Sequence, residues 1–421
     1  MMTEKIFSRI LEAKLQNLLS KIGCVVIEGP KQSGKTFLGA KFSQSQFYVQ
    51  ENGLDNQSLI GLDYDQNPLF NGSKPKLIDE WQIVPAIWDK VRFLVDQSTN
   101  QTGLFILTGS INPNYELVHH SGAGRMAWLN LATLTFSEIL PEQAKISLKQ
   151  LFAKQTIKHQ FNHYNLNWVA KQLIQGGWPY ALAKQIPSDV VIESYLTSLI
   201  KVNTFNKKKI QAIKEILVSL ARLNGTQLKL STILNDIKEQ VDPRTLTKYL
   251  NHLRSFYLLF DLEVWNPIWE SRSKTKLRIT PKTYWCDPSL GLNLLKIKHE
   301  NQLFNNLKTL GIYFENQVIK DLSVYAQALD GQLYFYRDAN GLEVDAIIEL
   351  NDGGWAAFEI KLGPHQIEQA AKKLLHFAKM IQQKKPGYPE PKFLMIITTN
   401  DCSYQRTTDG IYVVPHPCLE I

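Results

Sequence analysis

The eight residues at positions 29–36 constrain the fold of this chain more than any other segment. They read Gly-Pro-Lys-Gln-Ser-Gly-Lys-Thr and follow the apolar run Cys-Val-Val-Ile at 24–27, which predicts a short buried strand. Gly29 and Gly34 let the backbone curl so that successive N–H groups point into one hollow. Lys35 can then reach the outer phosphates of a nucleotide, and Thr36 offers a hydroxyl to Mg²⁺. The helix that follows adds its positive N-terminal end, so the segment predicts a phosphate-binding loop.

A second strand end carries two adjacent carboxylates. The residues Leu-Ile-Asp-Glu at 77–80 close an apolar stretch, and alternation along a strand predicts that Asp79 and Glu80 point to opposite faces at its C-terminal edge. We expect Asp79 to hold the Mg²⁺ water shell and Glu80 to polarise a water for attack on the γ-phosphate. Taken alone, the pair could equally be a solvated strand end.

A third apolar run, at 104–107, ends in Thr108, Gly109 and Ser110. Thr108 and Ser110 would sense the γ-phosphate or orient the water, although the segment alone could be an ordinary turn. Three such strand ends in this order predict a site for ATP with Mg²⁺. The residues predicted to bind the nucleotide are Gly29, Pro30, Lys31, Gln32, Ser33, Gly34, Lys35, Thr36, Asp79, Thr108 and Ser110.

A glycine-bearing loop at 121–125 holds one guanidinium, that of Arg125, ahead of the apolar run at 128–136. A planar fork of donors suits the charge spread over a transferring phosphoryl group, so Arg125 is a candidate arginine finger. A finger at this point would reach into a neighbouring subunit, which would require a homo-oligomer. An ordinary surface arginine is an equal alternative.

These motifs resemble those of the AAA-type ATPases that prokaryotes fuse to a C-terminal domain of unknown function, a domain often read as a nuclease. The resemblance implies a helical lid over about residues 151–200, with the Gly-Gly-Trp-Pro sequence at 176–179 as its tight turn. The segments that carry the resemblance are 29–36, 77–81, 108–110, 121–125, 176–179 and 341–363.

Length and composition indicate a multidomain intracellular chain. Its 421 residues, 44% of them apolar, predict two to four domains. The four cysteines are scattered without paired metal-ligand spacing, which argues for a reducing compartment and against a zinc site. No leader opens the chain and no apolar run approaches the roughly 18 residues that span a bilayer. We therefore expect a cytoplasmic protein that does not contact a membrane.

Positive charge is concentrated in the middle of the chain. Between Lys201 and Lys282 there are 16 Lys and Arg against 7 Asp and Glu, whereas the whole chain carries a net charge of only +8. Such a segment is typical of a module that meets a polyanion, and we expect DNA as its partner. The three lysines at 207–209 could equally form a solvated linker.

Periodicity in this basic segment predicts helices at 210–223, at 231–237 and from Pro243 to about 256, followed by strands at 258–265 and 276–280. Three helices and a basic hairpin predict a winged helix-turn-helix. Its last helix would present Arg244, Thr247, Lys248 and Asn251 to a groove of the nucleic acid. A helical packing module that links the ATPase to the C-terminus is the alternative.

A second group of reactive side chains lies near the C-terminus, where residues 342–350 and 355–362 read as two strands of a hairpin. Glu359 and Lys361 share one face of the second strand because they are two residues apart, and Asp345 lies within hairpin reach of that face. Two carboxylates can hold Mg²⁺ against a scissile phosphate, and a nearby ammonium can activate the attacking water.

This pattern resembles the PD-(D/E)xK nucleases. A helix at 313–328 carries Glu315, where that family often places another acidic ligand, so the resemblance implies Glu315, Asp345 and Glu359 as metal ligands. A strand at 333–336, a helix at about 365–383 and a strand at 393–399 complete the expected core. Val344 replaces the proline of the family motif. The alternatives are a charged, solvated hairpin and a nuclease-like fold kept as a binding module.

We therefore predict an α/β chain with a P-loop AAA-type ATPase core at 1–150, a helical lid at 151–205, a winged helix-turn-helix at 206–282 and a PD-(D/E)xK-like α/β domain at 283–421. The leading hypothesis is ATP-dependent action on DNA. Glu80, Lys35 and Arg125 would act on ATP, and Asp345, Glu359 and Lys361 would cut a phosphodiester bond. The rival hypothesis is a nucleotide-switched regulator whose C-terminal domain only grips its partner.

Overall fold

The computed structural model describes residues 6–50, 67–98, 101–111, 122–157, 159–202, 207–267 and 280–421. The chain divides into two compact units. One comprises Ser8–Thr133 with Asn251–Leu258, and the other comprises Leu134–Leu250 and Leu259–Ile421, together with the first residues of the chain. The four-domain division at 150, 205 and 282 stays a prediction. Residues 134–150, which we assigned to the ATPase core, group with the larger unit.

The unit of Ser8–Thr133 is built on a parallel sheet with the strand order β2-β3-β4-β1-β5. Its elements are α1 (Glu12–Leu19), β1 (Cys24–Glu28), α2 (Lys35–Phe42), β2 (Ser45–Tyr48), β3 (Lys76–Asp79), α3 (Ala86–Gln97), β4 (Phe105–Gly109) and β5 (Met126–Asn130). The three predicted apolar runs form β1, β3 and β4. Because β4 lies between β1 and β3, the ends of all three strands meet at one edge of the sheet, as the sequence predicts.

Tryptophans fill the core on one side of this sheet. Trp81 and Trp88 are fully buried with their ring centroids 5.0 Å apart, and both pack against apolar side chains of β1, β3 and β4. Trp81 follows directly after the Asp79–Glu80 pair in sequence. Burial of this ring therefore fixes the backbone that positions the two carboxylates.

The larger unit begins with short helices. Its first elements are α4 (Phe136–Ile139), β6 (Ile146–Ser147), α5 (Leu148–Phe152), α6 (Leu166–Gln175), α7 (Pro179–Lys184) and α8 (Ser188–Val202). Gly176 follows the end of α6 with a positive φ of 71°, a backbone conformation that favours glycine, and Pro179 opens α7 at its first turn. The Gly-Gly-Trp-Pro sequence is thus a tight turn between two helices, as we expected.

The basic middle segment combines three helices with a small antiparallel sheet of strand order β7-β9-β8. Its elements are α9 (Lys207–Arg222), β7 (Thr226–Gln227), α10 (Leu230–Asp236), α11 (Pro243–Ser255), β8 (Leu259–Leu262) and β9 (Lys282–Trp285). All three helices lie close to their predicted positions. The predicted strand at 276–280 falls outside the described residues except for Thr280, which is not in a strand. The observed strand β9 begins at Lys282, so it crosses the predicted domain boundary.

The C-terminal part of the larger unit contains a six-stranded mixed sheet of order β10-β11-β12-β13-β15-β14. Its elements are α12 (Pro288–Leu294), α13 (Glu300–Phe304), α14 (Leu307–Ala328), β10 (Gly331–Arg337), β11 (Glu343–Leu350), β12 (Trp355–Ile360), α15 (Ile367–Lys384), β13 (Phe393–Thr398), β14 (Tyr404–Gln405), β15 (Tyr412–Pro415) and β16 (Leu419–Glu420). The expected order of helix, three strands, helix and strand is present from α14 to β13. The strands after β13 were not predicted.

The helix α15 connects the parallel strands β12 and β13. It is amphipathic, and its apolar residues recur every three or four positions on the face that packs on the sheet. The buried residues of this face are Ile367, Ala370, Ala371, Leu374, Phe377, Met380 and Ile381. This packing fixes which residues of α15 face the end of β12, where the second predicted site lies.

Gly177 provides a test of the tight turn. A Cβ atom at this position would lie 2.3 Å from the carbonyl oxygen of Leu134, and the Gly177 N–H donates to Asp287 Oδ2 at 2.9 Å. We expect Gly177→Ala to cost about 2–4 kcal/mol, since backbone atoms must move to admit the methyl group. Thermal unfolding followed by circular dichroism measures the effect. Gly363→Ala is the control, because a Cβ atom at Gly363 meets nothing within 4 Å. Equal melting temperatures for the two variants would contradict the prediction.

Candidate functional site

The loop between β1 and α2 has the backbone shape that phosphate binding requires. Gly29, Gln32 and Gly34 all have positive φ, at 148°, 66° and 93°. A side chain at Gly29 would collide with the carbonyl oxygen of Leu131, 2.2 Å from the added Cβ atom. Ser33 Oγ is buried in this loop without a hydrogen-bond partner in the structure, which suits a hydroxyl that serves a bound phosphate.

Lys35 is the first residue of α2 and is almost fully buried. Its ammonium donates to the carbonyl oxygens of Gly29 at 3.0 Å and Pro30 at 2.8 Å, so it lies within the curve of the loop. Burial lowers the pKa of Lys35 to about 8, although the Glu80 and Asp79 carboxylates oppose this shift. A triphosphate would supply the negative charge that this buried ammonium lacks.

The two residues predicted to hold Mg²⁺ in the nucleotide site, Thr36 and Asp79, are hydrogen-bonded to each other. Thr36 Oγ1 donates to Asp79 Oδ1 at 2.8 Å, and the Thr108 hydroxyl donates to the same oxygen. Burial raises the pKa of Asp79, and these two hydrogen bonds oppose the shift. A hydroxyl and a carboxylate beside a phosphate-binding loop are hard oxygen ligands, so the residues fit Mg²⁺. When held by Thr36 and Asp79, the ion would supply positive charge that offsets the charge of the phosphates.

Glu80 is held by polar side chains beyond the end of β3. Its backbone is left-handed, with φ of 54°, so it leaves the strand and simple alternation does not govern its direction. Ser110 Oγ donates to the Glu80 carboxylate at 3.0 and 3.1 Å, and the Gln82 amide donates to Oε2. Non-glycine residues in this conformation cluster at functional sites because tertiary contacts must enforce it. No pattern in the sequence indicates the contact with Gln82.

Arg125 lies at the opposite edge of the sheet from the phosphate-binding loop of its own chain. It immediately precedes β5, whose first residue pairs with Cys24 at the start of β1, whereas the loop follows the end of β1. Its guanidinium pairs with Asp96, with Nε 2.6 Å from Oδ1. This position cannot serve the site of the same chain. The role in a neighbouring subunit stays a prediction, and Ser121 lies outside the described residues.

Arg9 supports the phosphate-binding loop and was missed in the sequence. Its guanidinium donates from Nη1 to the carbonyl oxygen of Ser33 and from Nη2 to that of Ala132, both at 2.7 Å. Arg9 is 7% exposed. The fork of donors therefore fastens the loop to the chain segment that follows β5. No motif spacing could have indicated this contact, because Arg9 lies 24 residues before Ser33.

Glu28, the residue directly before the loop, is also buried. Burial raises its pKa, and a hydrogen bond with the Tyr257 side chain opposes this shift. Tyr257 follows α11 in a left-handed conformation, with φ of 56°, and belongs to the same unit as the loop. Tyr257 thus contacts the residue directly before the candidate phosphate-binding loop, a contact that the sequence did not predict.

In the larger unit, the structure brings together Asp345, Glu359 and Lys361. Lys361 Nζ lies 3.0 Å from Asp345 Oδ2 and 2.8 Å from Glu359 Oε2. The Ile360 N–H donates to Asp345 Oδ2 at 2.8 Å, and Lys373 Nζ of α15 lies 2.6 Å from Glu359 Oε1. The predicted hairpin geometry accounts for the first three residues. Lys373 was not predicted.

Glu315 on α14 lies in an adjoining group of charges. The Tyr284 hydroxyl donates to Glu315 Oε1 at 2.6 Å, and Lys282 Nζ lies 3.5 Å from the same oxygen. Lys282 Nζ is also 2.6 Å from Glu343 Oε1. Both partners of Glu315 belong to β9, the strand of the small middle sheet. Glu315 therefore contacts this strand, and no direct contact with Asp345 or Glu359 is seen.

The charges of the two groups influence one another. Burial raises the pKa of Glu315, against the effect of Lys282. Burial also raises the pKa of Glu359 to about 7, with a further contribution from Asp345. For Asp345, burial favours the neutral form, yet Lys361, Lys373 and Lys282 hold its pKa below its usual range. Lysines are thus the main partners of these carboxylates.

The donor set of this centre does not fit a divalent cation in the way that the resemblance implies. Ammonium groups already contact Glu315, Asp345 and Glu359. Within the part of the chain that the structure describes, no three Asp, Glu, His or Cys side chains come together as possible metal ligands. The metal assignment for these three residues remains an untested prediction.

The four residues predicted to face a nucleic acid, Arg244, Thr247, Lys248 and Asn251, are all exposed on α11. The opposite face of the helix carries Leu246, Leu250 and Leu253, which are buried. Asp242 caps the helix, because its carboxylate accepts the N–H groups of Arg244 and Thr245. The exposed face is therefore polar and basic.

Three segments of the chain match known family models. Residues 22–140 match the family model described as "AAA domain". Residues 166–301 match a domain of unknown function (DUF8612), and residues 310–419 match another (DUF4143). The chain thus has an α/β fold with a P-loop ATPase-like core and a C-terminal domain of the DUF4143 family.

Among curated proteins, the uncharacterized proteins Rv2008c of Mycobacterium tuberculosis and Mb2031c of Mycobacterium bovis are each 24% identical over 359 residues. The match covers 83% of this chain and 72% of theirs. Among solved structures, a Walker-type ATPase of Pyrococcus abyssi matches with a TM-score of 0.44 and 14% identity, over 69% of this chain and 96% of the other.

A RuvB variant of Thermotoga maritima matches with a TM-score of 0.30 and 14% identity, over 61% of this chain and 90% of the other. A chain of Drosophila ORC bound to DNA matches with a TM-score of 0.21 and 11% identity, over 70% of this chain and 88% of that chain.

In the described residues, no helix is both long enough and apolar enough to cross a membrane.

The position of Arg9 leads to a prediction about the loop. Arg9→Lys keeps the positive charge but cannot bridge Ser33 and Ala132 with a planar fork, so we expect ATP affinity to fall by about tenfold. Isothermal titration calorimetry with Mg-ATP measures this loss. The control is Arg222→Lys, which alters an exposed arginine of the other unit that pairs with Asp236. Unchanged ATP affinity in Arg9→Lys would show that the two hydrogen bonds of the Arg9 guanidinium are not needed for nucleotide binding.

Proposed function

We propose that this chain binds Mg-ATP at residues 29–36 and hydrolyses it. The observation that supports this proposal most strongly is the hydrogen bond between Thr36 and Asp79, beside the buried ammonium of Lys35. The hydroxyl and the carboxylate lie on different elements, 43 residues apart. An ordinary surface turn and a solvated strand end would not come together in this way.

Each residue has a distinct role in the proposed reaction. Lys35 and the loop N–H groups bind the phosphates, while Thr36 and Asp79 hold Mg²⁺. Glu80 takes the proton of the attacking water, and Ser110 keeps the carboxylate in position through its hydrogen bond. Thr108 orients Asp79 by donating to it. Arg125 of a neighbouring copy would complete the site, which requires assembly of the chain.

Two substitutions separate nucleotide binding from turnover. Lys35→Ala should abolish ATP binding, because the phosphates lose their buried counter-charge. Glu80→Gln should retain binding but lower turnover by about 10²- to 10⁴-fold, since it removes the base. Calorimetry and phosphate release measure the two effects. Lys41→Ala, on the exposed end of the same helix, is the control and should match the wild type. ATP turnover that persists in both test variants would refute the proposal.

We further propose that ATP turnover acts on DNA through the segment 201–282. Its excess of nine positive charges and the exposed basic face of α11 support this partner. The order of helix, strand, two helices and two strands suits a winged helix-turn-helix with α11 as its recognition helix. A packing module would have no need of a basic exposed face on this helix.

Salt dependence tests the DNA contact. If Arg244 and Lys248 contact phosphates, the double substitution Arg244→Ala/Lys248→Ala should weaken binding and reduce the slope of log K against log salt by about two. Fluorescence anisotropy with labelled duplex and single-stranded DNA measures both quantities. Lys372→Ala/Lys379→Ala removes the same charge from the exposed face of α15 and should leave the slope unchanged. Equal slopes in the two double variants would argue for protein packing at α11.

For the C-terminal domain we propose a binding or regulatory role. The convergence of Asp345, Glu359 and Lys361 favours a built centre over a solvated charged hairpin, since Glu359 is fully buried. Phosphodiester cleavage by these residues would need a metal that the paired carboxylates do not accommodate. The rival hypothesis of a nucleotide-switched protein with an inactive nuclease-like domain therefore has the stronger support.

A further inference from the structure

The carboxylates around Asp345 carry an unusual set of counter-charges. Lys282 contacts Glu315 and Glu343, Lys361 contacts Asp345 and Glu359, and Lys373 contacts Glu359. Arg337 Nη1 lies 3.6 Å from Glu343 Oε2. Four carboxylates thus face four cationic side chains. A divalent ion added to this group would bring two further positive charges next to cations that already contact every one of these carboxylates.

Lys282 is the member that comes from outside the α/β domain. It opens β9, which pairs with β7 and β8 of the small middle sheet, whereas Glu315 and Glu343 belong to α14 and β11. Its side chain is only 7% exposed. The neighbouring Tyr284 donates to Glu315 from the same strand. The strand β9 therefore delivers both a positive charge and a hydroxyl to the acidic group.

We infer that Lys282, Lys361 and Lys373 take the place of a divalent cation, and that the carboxylate centre of the C-terminal domain is independent of metal. Lys282 is the positioning residue of this centre, because it orders two carboxylates and fastens the middle sheet to the domain. The inference concerns the C-terminal centre alone and does not depend on ATP hydrolysis. It predicts that the removal of the Lys282 ammonium leaves Glu315 and Glu343 open to a cation.

The alternative explanation is that an added metal ion displaces the lysine ammonium groups and binds to their carboxylates. Two ammonium groups, those of Lys361 and Lys373, would have to leave Glu359, which has no exposed surface. Separating a buried charge from its partners is costly, because the charge is left without compensation in a poorly solvated place. A metal would have to offset this cost at the same time as it loses its own water ligands.

The experiment measures Mn²⁺ binding to the full chain without nucleotide, by the electron paramagnetic resonance signal of free Mn²⁺. All proteins carry Asp79→Asn, which removes the proposed magnesium-binding carboxylate of the nucleotide site. We expect no binding below millimolar Mn²⁺ in this background. Adding Lys282→Met should create one site that binds at least about tenfold more tightly, and adding Glu315→Gln to that protein should remove the site again. Lys282→Arg should behave like the background protein.

Two results would overturn the inference. The first is Mn²⁺ binding by the background protein that Asp345→Asn abolishes, or cleavage of DNA with Mn²⁺ that Lys361→Ala abolishes, since either shows that the native centre accepts metal. The second is a folded Lys282→Met protein that gains no site. If Lys282→Met does not fold, as judged by circular dichroism, the comparison of the background protein with Asp345→Asn still decides. Loss of ATP turnover leaves these outcomes unchanged, so the two proposals can fail separately.

Discussion

A buried ion network around Lys320 holds the larger unit together. Its ammonium donates to the carbonyl oxygen of Leu134 at 2.7 Å and lies 3.4 Å from Asp321 and 4.0 Å from Asp287. Asp287 in turn accepts the N–H of Gly177. These residues lie in segments that are far apart in sequence. Each buried charge and each buried backbone donor in the network is paired only because the other segments supply its partner. The requirement that buried charges be paired therefore fixes how the helical segments, the middle sheet and α14 come together.

The nucleotide site shows the same dependence on partners. Hydroxyl groups keep the carboxylate of Asp79, the proposed magnesium ligand, in place, because Thr36 and Thr108 both donate to it. Glu80 leaves its strand in a left-handed conformation, which the burial of Trp81 supports from the other side. Catalysis by positioned charges requires such support, because a carboxylate that moves freely would lose the geometry for proton transfer.

Much of the fold follows from local patterns, and the errors have physical causes. Short apolar runs predicted β1, β3 and β4 because both faces of these parallel strands are buried. The amphipathic period predicted α15 because one face of this helix packs on the sheet and is therefore apolar. The contact of Arg9 with the loop left no pattern, since a single buried arginine resembles any other arginine in sequence. The strand β9 at Lys282–Trp285 was not predicted, because its place is set by pairing with β8, a long-range contact that periodicity does not report.

The C-terminal centre illustrates the limit of motif reasoning more sharply. Spacing within one hairpin was enough to bring Asp345, Glu359 and Lys361 together, because strand alternation is a local property. The chemistry of the centre depends on the net charge of everything that surrounds it. That charge includes Lys373 on the covering helix and Lys282 on a strand of another sheet. A sequence motif that contains carboxylates specifies a metal site only when no cationic side chain from elsewhere in the structure contacts those carboxylates. Here the tertiary structure supplies the cations, so the same motif can persist while the centre has no need of a metal.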